Sequence, residues 1–269
     1  MPAVSIAQLQ NHLELLRSAF NSPQVFVSEL KDVLELYADR TFRPGEKSQQ
    51  DVRIPRYYIP ILLQKKLEME LQRLTALRPE NAIDNANLLW QEKHYESRLL
   101  AGCIIGALPA NAHKEALAIL SQWLNTRIES NLQTEIIELA SRNLRINSPT
   151  PWFQQIQDWL QQKSTRLKAR GILALRITVQ DEHFMDLPML LHQVKPLFDA
   201  PPILLIPDLV DLYQILIRRF PDEMLVYTRE QMKDLDDPQK VKFLRKVITF
   251  FDEDTVIVLR RQIPPVKFS

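Results

Sequence analysis

Apolar residues recur along this chain at three- and four-residue spacing, the period of one face of an α-helix. Ile6, Leu9, Leu13 and Leu16 form one stripe and predict a helix from Ser5 to Phe20. Phe26, Leu30, Val33, Leu34 and Tyr37 form the next, with Ser22 placed to cap it and Pro23 in its first turn, where a missing N–H costs nothing. The residues from Arg40 to Arg53 are polar, contain Pro44 and Gly45, and read as a loop. A third helix is predicted from near Pro55 through Leu62, Leu67, Leu71 and Leu74.

From residue 80 onward the pattern repeats. Candidate first helices begin near Glu80, Asn111, Pro149, Phe184 and Pro221, at intervals of 31, 38, 35 and 37 residues. Each interval holds two helical segments: 80–91 with 93–108, 111–125 with 128–145, 150–162 with 164–180, 185–198 with 202–220, and 221–236 with 238–251. A two-helix unit repeated in this way predicts an all-α, right-handed superhelix of HEAT/ARM type with about six two-helix repeats, since no unit buries its apolar face alone. An irregular helical bundle is the competing architecture. The expected organisation is one solenoid domain over 1–269: N-terminal helices in 1–79 with the loop 40–53, five helical pairs in 80–251, and a tail or cap in 252–269. Thr255 to Leu259, TVIVL, is β-branched and reads equally as a strand or a last helix.

Composition agrees with helices and excludes several chemistries. The chain has 4 Gly and 18 Pro in 269 residues, where about 7% Gly is usual, so glycine-rich phosphate loops and dinucleotide-binding turns are excluded. Lys+Arg 34 against Asp+Glu 33 leaves a net charge of +1, so contact with nucleic acid has to come from a local cluster. The one cysteine, Cys103, lies in the apolar run GCIIGAL and reads as a core residue in a reducing, cytoplasmic setting. The five histidines are scattered, so neither a metal site nor a cofactor is expected. No apolar run reaches the length of a membrane span, and no membrane contact is expected.

The segment DNANLLWQEKHYESRLLAGCIIGAL, Asp84 to Leu108, resembles the repeat of the DNA alkylation-repair glycosylases built from HEAT-like helices. The matching features are Trp90 at a helix end, then Glu96 and Arg98, then the small residues Ala101, Gly102, Gly106 and Ala107. DVRIPRYYIPIL is similar to that family's lead-in to its third helix, with Asp51 at the glycine position, and WLQQKSTRLKARGILAL is similar to its Arg-rich lining helix. The resemblance covers roughly residues 40 to 180. It implies a DNA-binding fold and a carboxylate flanked by two tryptophans that would excise a cationic base. Carried over position by position, Glu135 falls at the acid, Asn131 at the first tryptophan and Arg166 at the second.

With both aromatic walls replaced, the functional expectation is a non-catalytic scaffold binding a protein or a double-stranded DNA backbone, and the alternative is a diverged DNA-3-methyladenine/7-methylguanine-type glycosylase using Glu135. Lys163, Arg166 and Arg170 share one helix face and are candidate phosphate contacts, joined by Arg98, Arg127 and Arg142 on other second helices. Trp90, Trp123 and Trp159 recur near the ends of first helices and read as packing residues. Trp152, after Pro151, is expected to be the more exposed. One of Tyr57 and Tyr58 is expected to face a ligand, and Asp208 and Asp211 read as helix-start acids. Gly102, Gly106 and Gly171 fall inside predicted helices, a cost of about 1 kcal/mol each relative to Ala, and predict close helix approach.

Overall fold

The computed structural model describes residues 6–41, 54–126 and 128–263. Among them all regular structure is helical, with fifteen α-helices and no strand. The chain divides into two compact units, Met1–Trp152 and Phe153–Ser269.

The first unit contains α1 (Ile6–Ala19), α2 (Pro23–Leu36), α3 (Ile61–Leu77), α4 (Pro79–Gln91), α5 (Tyr95–Gly106), α6 (His113–Asn125), α7 (Ser130–Ala140) and α8 (Arg142–Asn147). The division falls inside α9 (Pro149–Gln161). The second unit continues with α10 (Thr165–Gln180), α11 (Leu187–Asp199), α12 (Ile206–Arg219), α13 (Pro221–Gln231), α14 (Pro238–Val247) and α15 (Glu253–Gln262). Proline occupies the first or second position of α2, α4, α11, α12, α13 and α14, as its fixed φ favours.

Helix α5 is the centre of the first unit. Every one of its residues except Arg98 is buried, because α3, α4 and α7 pack around it. Gly102 and Gly106 make the approach of α7 possible: a Cβ at Gly106 would lie 1.8 Å from the Leu139 carbonyl oxygen. Arg17 of α1 grips the buried Glu70 of α3 through two hydrogen bonds of 2.6 and 2.9 Å. In the second unit α12 packs on α10, α13 and α14, around a cluster of Phe198, Tyr213 and Phe243 whose ring centroids lie 5.0 to 5.5 Å apart. A Cβ at Gly171 of α10 would lie 2.7 Å from Cδ2 of Leu160 in α9.

Three local expectations change, and the open reading of TVIVL is resolved as a helix. Residues 54–60 are not helical, and α3 begins at Ile61. Pro55 and Pro60 disfavour helical backbone in the residues before them, and the intervening N–H groups find a carboxylate instead. The predicted helix 128–145 breaks at Ser141, whose hydroxyl donates to the Ile137 carbonyl at 2.6 Å and competes with the ladder. TVIVL lies inside the helix α15, where Asp252 caps the Thr255 N–H and acids open and arginines close the helix, so end electrostatics override β-branching. Trp152 is fully buried rather than exposed.

Candidate functional site

A polar cluster gathers where the segment 54–60 crosses the N-terminal end of α5. The buried Glu96 carboxylate accepts the backbone N–H groups of Tyr57 at 3.0 Å and Tyr58 at 2.8 Å. The Tyr95 N–H donates to the Pro55 carbonyl at 2.9 Å, and the Asp39 N–H to the Tyr57 carbonyl at 2.9 Å. These bonds satisfy donors that no helix uses, and they fix an extended strap with Tyr58 at φ 54°. Tyr57 is buried and stacks on His94 with centroids 4.0 Å apart, and burial pushes its hydroxyl up to about 12.

The strap delivers Arg56 to the face of Tyr95, its guanidinium carbon 3.7 Å from the ring centroid. Arg56 also pairs with Glu129 at 2.6 Å. Glu129 is the residue before α7 yet makes no capping bond with its side chain. Glu135 lies one and a half turns into α7, where it interacts electrostatically with Tyr95. Burial raises the Glu135 carboxyl above the usual glutamate range, with Tyr95 and Arg56 opposing. Burial likewise raises the Tyr95 hydroxyl. Glu135 is thus half-buried among Tyr95 and charged groups, and Asn131 on the same helix is exposed.

Arg98 donates to the Glu92 carbonyl at 3.0 Å and covers Trp90 at 5.3 Å, and Trp90 stacks on Trp123 at 4.5 Å with planes 5° apart. Burial lowers the Arg98 pKa. The recurrent tryptophans are therefore packing residues, and Arg98 serves as their lid. Arg142 is exposed and donates to Gln72 at 3.2 Å. Arg127 lies outside the described residues.

The second unit holds the other predicted contacts. Lys163 and Arg166 are exposed around the start of α10. Arg170, one turn further, is 1% exposed and lies over Trp159 at 5.7 Å, so it does not belong to a solvent-facing stripe. Burial, then repulsion from Arg166, lowers its pKa to about 10. The half-buried Lys168 lies in the same end of the helix, whose first turn contains no acid. Asp211 pairs with Arg176 of α10 at 3.3 Å, and Asp208 sits in the first turn of α12, so this acid pair joins two helices. Burial raises Asp208 above the usual aspartate range.

Arg56, Tyr95 and Glu129 were not legible as site residues, because they come from three separate segments. The only hint was the Pro-bracketed RIPRYYIP run, which departs from helical patterning. Among the described residues no group of three or more His, Cys, Asp or Glu side chains is placed to hold a metal ion. No described helix is long and apolar enough to cross a membrane. No family model, curated protein or solved structure matches the chain.

Proposed function

We propose that this chain is a HEAT-like helical scaffold, similar in construction to the alkylation-repair glycosylases, that binds a nucleic-acid backbone without acting on it. The observation that carries the scaffold reading is the packing of helices on their next-but-one neighbours: α5 on α3 and α7 in the first unit, α12 on α10 and α14 in the second. Stacked two-helix repeats pack in this way.

Exposed cations argue for the partner. Lys163, Arg166 and Lys168 gather at the positive end of the α10 macrodipole, where cations are disfavoured by about 0.3 to 1 kcal/mol each. An anionic partner offsets that cost and gives each of them a charge-assisted hydrogen bond. The polar groups around Arg56 bind one another. The triple variant with Ala at 163, 166 and 168 is expected to lose at least tenfold in affinity for duplex DNA in a gel-shift titration at low salt. Unchanged affinity rejects a phosphate partner at this end and turns the scaffold reading toward a protein.

A second reading, a diverged glycosylase, is favoured by one feature: the half-buried Glu135 carboxyl with its raised pKa, a property that general acids share. Release of methylated purine from alkylated duplex DNA by the native chain, abolished in Glu135→Gln, would establish it.

A further inference from the structure

We infer that Tyr95 and Glu129 form a guanidinium-binding box, filled by the chain's own Arg56 and able to take an arginine side chain presented by a partner polypeptide. Two contacts define the chemistry. The ring of Tyr95 supplies a cation–π face at 3.7 Å, shorter than the usual limit of about 6 Å. Glu129 supplies an ion pair at 2.6 Å. A planar group that stacks and hydrogen-bonds at once is what guanidinium offers and ammonium does not.

The occupant is replaceable because the strap does not depend on it. The backbone around Arg56 is anchored separately, through Glu96 to the Tyr57 and Tyr58 N–H groups and through the Pro55 carbonyl to the Tyr95 N–H. Rotation of one partly exposed side chain, with 27% of its area open, therefore empties the box without moving the strap. Glu129 keeps only 12% exposure, and a carboxylate that loses its cation there is destabilised until another takes the place. Exchange of one guanidinium for another restores the same bonds, so a partner's arginine competes on equal chemical terms. This inference does not rest on the nucleic-acid reading, whose residues are in the other unit.

The full chain carrying Arg56→Ala, with Arg56→Gln as a milder companion, is titrated calorimetrically with Nα-acetyl-arginine N-methylamide. Saturable binding at least tenfold tighter than to the native chain is expected, with the loss of that gain in Arg56→Ala/Glu129→Gln and Arg56→Ala/Tyr95→Leu. The citrulline analogue is expected not to bind, and the lysine analogue to bind several-fold more weakly. Free L-arginine binding more tightly than the capped analogue would assign the box to the free amino acid and overturn the polypeptide partner. Folded Arg56 variants that bind the capped analogue no better than the native chain overturn the box itself. Should neither variant fold, the Arg56 Nε–H resonance of the native chain decides. Its shift toward that of a solvent-exposed arginine on addition of the capped analogue supports displacement, and an unmoved resonance at saturating analogue overturns it.

Discussion

At the scale of single residues, the same substitution tests two different kinds of close approach. A Cβ at Gly106 would meet backbone, the Leu139 carbonyl oxygen at 1.8 Å and its carbon at 2.8 Å, so relief requires α5 and α7 to move apart. At Gly102 the nearest atom, at 2.9 Å, is Cδ1 of Ile136, the end of a flexible side chain. Gly106→Ala is therefore expected to cost about 3 kcal/mol, while Gly102→Ala, which also gains about 1 kcal/mol of helix propensity, should change stability by less than about 1 kcal/mol. Urea denaturation of the two variants separates them. Glu135 gives a second test, with a definite sign. Its folded carboxyl titrates above the ordinary glutamate value because burial penalises the charge, so the unfolded chain ionises first as pH rises. The native chain should lose stability relative to Glu135→Gln as pH climbs from the ordinary value to the raised one, and the difference should then level off. A difference that is flat with pH would mean that the carboxyl is not destabilised by its burial.

At the scale of elements, the helices were legible and the joints between them were not. Proline at helix starts, amphipathic spacing and in-helix glycine are local signals, and they located α2, α4, α5 and α12 to within a few residues of their observed bounds. The strap 54–60 was misread because its backbone donors go to Glu96, 38 and 39 residues away, and no local pattern encodes that. The candidate site was hidden for the same reason: periodicity located Tyr95 on its helix but gave no sign that Arg56 lies over its ring and pairs with Glu129. A comparable joint closes α12 onto the end of α10. The Arg219 guanidinium donates to the carbonyls of Val179, Asp181, Glu182 and Phe184, and covers the rings of Phe184 and Phe220. Carbonyls at a helix end have no ladder partners, and one planar fork serves several of them. Arg219→Ala should cost about 3 kcal/mol in chemical denaturation, given about 1.5 to 3 kcal/mol for a hydrogen bond to a charged group and the partial exposure of this one. Arg219→Lys should recover little, since an ammonium lacks the fork. Full recovery by lysine would show that charge alone holds the joint.

At the scale of the whole molecule, the decisive quantity is the balance of charge. Lys+Arg 34 against Asp+Glu 33 leaves +1 overall, and the cations and anions balance to within one charge in each compact unit. A chain so balanced has no long-range attraction for a polyanion, so any affinity for duplex DNA must come from the few cations that touch phosphate. Each phosphate neutralised on B-DNA contributes about −0.9 to the slope of log K against log salt. Lys163, Arg166 and Lys168 together then predict a slope of about −3, against about −6 or steeper for a surface that neutralises seven or more phosphates. Measured by fluorescence anisotropy between low and physiological salt, a slope near −3 that collapses toward zero in the triple alanine variant would tie the affinity to the start of α10. A steep slope that survives in the variant would place the contact elsewhere on the molecule. It would also remove the reason for giving those cations a role at the positive end of a helix, where their own fold disfavours them.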